Sequence, residues 1–187
     1  LLLTAAGGIT GPLPTVTGIF GTVSIDGTNL ELTVADTPYS TWAQAKITDI
    51  DPLANATPTG DPDGDGVANS AGFALNGNPL DGSKNGYSLG QTVNVPAVGD
   101  ALILTFASRT GADFGVGNTA SIDGVNYTVQ GSLDLTSFTA PLTKVSPAIV
   151  PPGWPAPDSS YAYHTFRLDA STGLTGKGFL RVKTEQT

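Results

Sequence analysis

The sequence predicts an all-β fold, in the form of a β-sandwich-like domain that carries one small helix–loop–helix insertion. Among 187 residues there are 24 glycines and 14 prolines, and only 13% of the residues are charged. Such a chain is too punctuated for a helical bundle and too apolar for disorder. Six or more short β-favouring segments, separated by turn signals, are typical of two packed sheets.

Residues 1–37 are predicted to form an N-terminal extension followed by a β-hairpin. Alternating apolar and polar residues lie on both sides of Asp26-Gly27, a dipeptide that favours a tight turn between two strands. Residues 121–126 nearly repeat residues 24–29, so we expect the same turn chemistry at Asp123-Gly124. Two copies of six residues do not establish a repeat architecture.

Residues 38–85 are predicted to form a helix, an acidic loop and a second helix. The segment that begins at Pro38 and contains Trp42 has a capping residue, is rich in alanine and has no run of β-branched residues after Thr41. After the loop, the apolar side chains of residues 67–75 lie at helical spacing, and Asn76 with the following glycine ends the helix.

Residues 86–187 are predicted to supply most of the strands, and the three segments together form one compact unit. The proline-rich stretch at residues 147–157 is expected to cross between sheets at the surface, with Trp154 holding it to the core. The predicted strands cover residues 92–95, 101–107, 126–130, 140–145, 162–168 and 178–183.

The acidic loop places oxygen donors at alternate positions of a twelve-residue segment, residues 61–72. Calcium is a hard cation that takes six to eight oxygen ligands, and alternate carboxylates followed by a backbone carbonyl can surround one ion. Gly66 stands at position six, where the chain must turn sharply. The sequence therefore predicts a Ca²⁺ site whose ligands are Asp61, Asp63, Asp65, the Val67 carbonyl and Asn69.

Position twelve of such a loop normally carries a bidentate glutamate, and Gly72 cannot supply one. Water, a neighbouring molecule, or one of Asp81, Asp51 and Asp49 would have to complete the coordination. The alternative interpretation is that Asp-Gly pairs only make turns. Three aspartates in strict alternation favour calcium over that alternative.

The helix with Trp42, the acidic loop and residues 73–79 together resemble EF-hand-like calcium modules, akin to thrombospondin type 3 and dockerin loops, of secreted Verrucomicrobia-type bacterial proteins. Residues 164–170 and 176–182 are similar to the closing strands of those proteins. The hairpin before Trp42 resembles the last strands of their autotransporter-like β repeats. The resemblance implies an extracellular or cell-surface location and a structural or adhesive role, and Gly72 departs from the usual glutamate of the family.

Composition excludes several classes of function. The net charge of −8 disfavours nucleic acid, whose binding needs clustered Lys and Arg. No apolar run reaches the roughly 20 residues of a membrane span. The chain has no cysteine and one histidine, which rules out disulfides and zinc sites built from His and Cys.

An enzyme is not expected. Ser88 lies in a Gly-x-Ser-x-Gly pattern, and His164 follows it in the chain order of an α/β-hydrolase. A nucleophile elbow, however, needs a strand before the serine and a helix after it, and the sequence around Ser88 predicts neither. His164 is expected to be a half-buried packing residue of a strand.

The function predicted from sequence is that of a secreted, calcium-binding structural protein, a subunit of an extracellular filament, adhesin or matrix. A homo-oligomer or homopolymer would form if residues 1–14 paired with the exposed sheet edge of a neighbouring copy. The alternative is a carbohydrate-binding module of a larger secreted enzyme, with a possible glycan partner. Its sugar-stacking side chains would be Trp42, Trp154, Tyr161 and Tyr163. Otherwise these rings pack in the core or on the surface: Trp42 is expected to face inward from its helix, and Tyr161 and Tyr163 to lie on the exposed face of their strand.

Overall fold

The computed structural model describes residues 2–4, 21–26, 29–34, 37–115, 117–169 and 177–187. Strands dominate, and the helices are few and short, which confirms the all-β class. The elements in chain order are β1 Leu2–Thr4, β2 Gly21–Asp26, β3 Asn29–Val34, α1 Pro38–Ala43 with a π-helical continuation Gln44–Thr48, α2 Asn69–Leu75, β4 Ser88–Val95, β5 Gly99–Arg109, β6 Thr119–Ile122, β7 Val125–Ser132, β8 Leu142–Val145, β9 Tyr161–Leu168 and β10 Phe179–Gln186.

The strands form antiparallel sheets with the orders β1-β3-β2, β10-β7-β6 and β4-β5-β9-β8. Ile122 lies opposite Val125, so Asp123 and Gly124 form the predicted tight turn, with φ of 54° and 77°. In the first hairpin Asp26 lies opposite Asn29. Asp26 is therefore the last residue of β2, and Gly27, the other residue of the predicted turn, lies outside the described residues.

One apolar core is shared by two sheets and both helices. The four-stranded sheet contributes Phe106 and Phe166, and the β10-β7-β6 sheet contributes Tyr127. Helix α1 adds Tyr39 and Trp42, and α2 adds Phe73, all in the same cluster of buried side chains. The two sheets and the two helices bury one another's apolar faces. The helices on either side of the acidic loop are therefore part of the core.

Helix α1 has the capping signals that the sequence predicts. The Thr37 side chain accepts a hydrogen bond from the Ser40 N–H at 3.0 Å, and the Ser40 side chain reciprocates at 2.8 Å. On the inner face of this helix, the Trp42 ring lies 5.5 Å from the Phe73 ring, centroid to centroid. Edge-to-face packing of aromatic rings thus joins α1 to α2.

Helix α2 is held at its C-terminal end by the sheets. The last four carbonyls of a helix have no partner within it. Here the Phe73 carbonyl accepts from the Tyr161 hydroxyl and the Ala74 carbonyl accepts from the Tyr127 hydroxyl, each at 2.8 Å. The Leu75 carbonyl accepts from the Tyr87 N–H, also at 2.8 Å. Donors from both sheets therefore fix the helix that follows the acidic loop.

Tyr161 was expected on the exposed face of its strand, and this prediction is wrong because α2 covers it. Tyr161 is only 5% exposed. The guanidinium of Arg109 lies between the rings of Phe73 and Tyr161, at 4.6 and 4.8 Å from their centroids, and pairs with Asp123 at 2.9 Å. Trp42 is buried, as predicted from its helical position.

Tyr161→Phe is expected to lower the free energy of unfolding by about 1–3 kcal/mol, because it leaves the buried Phe73 carbonyl without that donor. Urea unfolding in the presence of a chelator measures the loss. Tyr163→Phe is the matched control, since its hydroxyl bonds the Pro155 carbonyl at an exposed site, and a change below about 0.5 kcal/mol is expected. Equal effects of the two variants would contradict the assignment.

The proline-rich crossing is fixed by two buried threonines. The Thr105 hydroxyl donates to the Ile149 carbonyl at 2.8 Å, and the Ile149 N–H donates to the Thr165 hydroxyl at 2.9 Å. Trp154 does not reach the core, which corrects the prediction. It is half-buried and packs on Tyr87 and Tyr163 instead, with centroids 5.0 and 5.2 Å apart.

His164 is a half-buried packing residue, as its strand pattern indicates. Its ring lies 4.8 Å from that of Phe114, and its Nε2 is buried without a hydrogen-bond partner. Burial, with a smaller contribution from the positive charge of Lys144, lowers the pKa of His164 from 6.5 to about 4. The neutral imidazole is therefore the form that the fold accommodates.

Because the pKa of His164 is depressed in the folded state, the unfolded chain binds the extra proton first as the pH falls. The stability that comes from the neutral ring is fully present above about pH 6.5 and is lost as the pH falls to about 4. Thermal melting of wild type and His164→Phe in EDTA across this range should show a steeper decline for wild type. Parallel dependence of melting temperature on pH in the two proteins would show that protonation of His164 does not cause the loss of stability.

Candidate metal centre

Asp61, Asp63 and Asp65 lie together on the loop between the π-helical turn and α2. One carboxylate oxygen from each lies within 4.8 Å of the others, and we call these three residues the Asp cluster. The loop holds them with its own N–H groups: Gly64 and Gly66 donate to the Asp61 carboxylate at 3.0 and 2.9 Å. The chain thus wraps around its first aspartate, as the spacing predicts.

The turn at position six depends on glycine. Gly66 has φ of 87°, a left-handed conformation that residues with a Cβ rarely adopt. After it the Val67 N–H donates to the Asp65 carboxylate at 2.6 Å. The turn therefore folds the carboxylate of position five back over the loop, and Val67 lines the same small cavity as Asp63 and Asp65.

Asn69, the predicted ligand at position nine, is the first residue of α2 and is only 1% exposed. Its Nδ2 donates to the carbonyls of Asn55 and Thr57, at 2.8 and 2.9 Å. Its Oδ1 is buried without a hydrogen-bond partner. A buried oxygen in this state is costly unless something binds it.

Asn69 lines a cavity of about 10 Å³ together with Asp63, Asp65 and Val67. This volume is about that of one water-sized sphere. Carboxylates, a backbone segment and an unpartnered amide oxygen around such a space are the donor chemistry of a hard divalent cation. The Asp cluster could therefore hold a metal ion, and its surroundings fit one.

The three carboxylates of the Asp cluster repel one another. Partial burial, followed by repulsion from Asp65 and Asp61, raises the pKa of the Asp63 carboxyl above its usual value of 3.8. Like charges at such distances favour binding of either a proton or a cation. A bound divalent cation would offset this repulsion, so the local electrostatics favour one.

Position twelve, Gly72, lines the same cavity as Asp63 and Asp65 but carries no side chain that could reach an ion. A Cβ added to Gly72 would lie 3.7 Å from the Trp42 ring, so this face of α2 packs on α1. Asp81, Asp51 and Asp49, suggested as substitutes, have other partners. Asp51 accepts from the Leu53 N–H at 3.0 Å, and Asp49 accepts from the Gln44 side chain.

Asp81 is paired with Ser83, through a hydroxyl bond of 2.6 Å, and with Lys84 at 2.9 Å. These bonds lower the pKa of Asp81 to about 2. The backbone beside Asp81 lies close to the cluster. A Cβ added to Gly82 would lie 3.0 Å from Asp65 Cβ, which places this turn directly against the loop.

Sequence reasoning missed the part that residues 77–85 play in this site. Asn78, Lys84 and Asn85 line the same cavity as Asp63 and Asp65. The signal was present in the run of turn-forming residues after α2, but we interpreted it only as a helix terminator. The chain returns to the loop there because the Asn78 N–H bonds the Lys84 carbonyl at 2.7 Å.

The nucleophile-elbow geometry is not formed. Ser88 begins β4 and is followed by strand, not helix. Ser88 and His164 both lie opposite Phe106, on strands to either side of it. Strands are spaced by about 4.8 Å, so two strand spacings separate the backbones of these residues.

No protein-family model, curated protein or solved structure matches this chain. The resemblance to bacterial calcium modules thus remains a prediction from the sequence. Within the described ranges, no helix has the length and apolar character needed to cross a membrane.

Gly60→Ala is expected to destabilise the protein by about 1–3 kcal/mol, because the added methyl would overpack the entrance to the loop. Its Cβ would lie 2.8 Å from Asn69 Nδ2 and clash with the Asn55 carbonyl. Gly115→Ala is the control, since no atom lies within 4 Å of a Cβ there. Urea unfolding of both variants in chelator measures the difference, and equal stabilities would contradict this packing.

Proposed function

We propose that this chain is a calcium-binding structural module of a secreted or cell-surface protein, a subunit of an extracellular filament, adhesin or matrix. The observation that carries the proposal is the Asp cluster next to the unpartnered oxygen of Asn69. An ion bound there would neutralise the repelling carboxylates and tie the loop to α2. In this proposal the two sheets that share the core form a β-sandwich.

Calcium suits this site better than magnesium does. The donors lie on an irregular loop, and calcium tolerates flexible geometry with six to eight oxygens, whereas magnesium demands a near-ideal octahedron. The ligands in the proposal are Asp61, Asp63, Asp65, the Val67 carbonyl and Asn69, with water at the place that a glutamate at position twelve would occupy.

The extracellular location is supported by the affinity expected of such a loop. Without a bidentate glutamate at Gly72, the site should fall in the weak class, with Kd of about 10⁻⁴–10⁻³ M, that is typical of extracellular modules. A cytosolic sensor would need tighter binding. The site would be filled where calcium is millimolar, and it would then act as a permanent clip.

Isothermal titration of the protein with CaCl₂ at pH 7 tests the ion. We expect Kd in the weak range above and, at calcium ten- to a hundredfold above Kd, about 1.4–2.7 kcal/mol of added stability. Asp65→Asn should weaken binding at least about tenfold, because it removes a charged ligand without changing the shape. Absence of a calcium-dependent rise in melting temperature would refute the proposal.

Asp100→Asn is the matched control for Asp65→Asn. It makes the same chemical change at an exposed carboxylate of β5 that accepts from the Asn94 side chain at 3.1 Å and does not line the cavity beside the Asp cluster. We expect its calcium affinity to equal that of wild type. An equal loss of affinity in both variants would mean that net charge, and not the Asp cluster, attracts the ion.

Assembly by strand exchange is a separate part of the proposal. β1 pairs with β3 of its own chain, Leu3 opposite Leu30, and the same pairing made between copies would give a polymer if the rotation does not close. Electron microscopy with and without chelator should show calcium-dependent filaments, lost on deletion of residues 1–14. Filaments formed by the deletion variant would contradict strand exchange but not calcium binding.

A further inference from the structure

Three aromatic rings meet at the surface beside the acidic loop. Tyr87, Trp154 and Tyr163, which we call the aromatic cluster, have ring centroids 5.0, 5.2 and 5.9 Å apart. All three side chains are half-buried. They thus form a rigid group of rings that is open to solvent on one side.

The cluster is fixed from three directions. The Tyr87 N–H bonds the end of α2, and the Ala107 N–H bonds the Tyr87 carbonyl at 2.9 Å. The Tyr163 hydroxyl donates to the Pro155 carbonyl at 3.1 Å. A preorganised aromatic surface of this kind loses little entropy when a ligand binds.

Two clefts open on either side of Tyr87 and Lys84. One, of about 280 Å³, is lined by Ser83, Asn85 and Trp154 as well. The other, of about 250 Å³, is lined by Asn76 and Asn78 among others. Each approaches the lower end of the roughly 300–1,000 Å³ that small-molecule clefts occupy.

The chemistry of the clefts is that of a neutral, hydroxyl-rich ligand. Lys84, the charged residue shared by both, is already paired with Asp81 at 2.9 Å. The other shared residue is Tyr87, and amide side chains flank it in each cleft, Asn85 in the first and Asn76 and Asn78 in the second, where Lys46 also contributes to the lining. Hexopyranoses present a face of C–H bonds, attracted by the negative face of an aromatic ring, and a rim of hydroxyls for amide groups to bind.

We propose that the aromatic cluster and its two clefts bind a hexopyranose oligosaccharide, with a sugar ring stacked on Trp154, the edge of Tyr87 beside it, and hydroxyls bonded by Asn85 and Asn78. The site differs from a stacking face of Trp42, Trp154, Tyr161 and Tyr163, since Trp42 and Tyr161 are buried in the core. No ring of the aromatic cluster lines the cavity beside the Asp cluster, whereas Asn78 and Asn85 do, so stacking on Trp154 is the part of sugar binding that is independent of calcium binding.

Titration of the full chain with cellohexaose and with chitohexaose, by calorimetry and by ¹H NMR of the indole N–H signals, tests this site. At least one sugar should bind at micromolar to millimolar concentration. The chain has two tryptophans, and the signal of Trp154 should shift while that of buried Trp42 stays in place. If neither sugar binds at millimolar concentration, the proposal is overturned.

Variants locate the site. Trp154→Ala and Asn85→Ala should each weaken binding, the first by at least about tenfold. The exposed Asn85 provides a variant that keeps the fold if removal of Trp154 does not. Phe138→Ala is the aromatic control, since this half-buried ring lies under Arg181, 3.6 Å from its guanidinium. Binding that is unchanged in both test variants, or equally lost in the control, would overturn the proposal.

Discussion

The C-terminal end of helix α2 is the point on which the rest of this structure depends. A seven-residue helix is too short to be stable by itself in water, so its stability comes from tertiary contacts. Gly77 and three tyrosines supply those contacts: the Gly77 N–H, the Tyr161 and Tyr127 hydroxyls and the Tyr87 N–H satisfy the last four carbonyls in turn. Because Tyr127 and Tyr161 belong to different sheets, this helix end also joins the sheets.

The acidic loop is held in place because it leads directly into the anchored helix α2. Asn69 opens α2 and, from its buried position, bonds the carbonyls of Asn55 and Thr57 that precede the loop. The loop is therefore closed at its base before any ion binds. The negative charges of the Asp cluster remain without a counter-charge in the loop. Burial and the neighbouring carboxylates accordingly raise the pKa of Asp63. A rigid backbone that holds mutually repelling carboxylates close together favours the binding of a cation.

The sequence predicted local structure well wherever the chain's own chemistry decides it. The Asp123-Gly124 turn, the cap at Thr37 and the end of α2 at Asn76 follow from residue types that prefer those backbone angles. It predicted poorly which side of a strand is covered. Alternation along β9 predicts Tyr161 in solvent, because it allows for one buried face only, whereas the end of α2 also buries this first residue of the strand.

By itself the sequence determined the all-β class, the two short helices and the spacing of the carboxylates, because each depends on periodicity or on residues adjacent in the chain. Only the tertiary structure decided what lies around the Asp cluster. Gly72, the position of a missing ligand, lines the cavity beside the cluster and also packs against Trp42. The return of Gly82 to the loop and the meeting of Tyr87 with Trp154 are contacts between distant segments. They arise from the packing of sheets and helices, which no local pattern records.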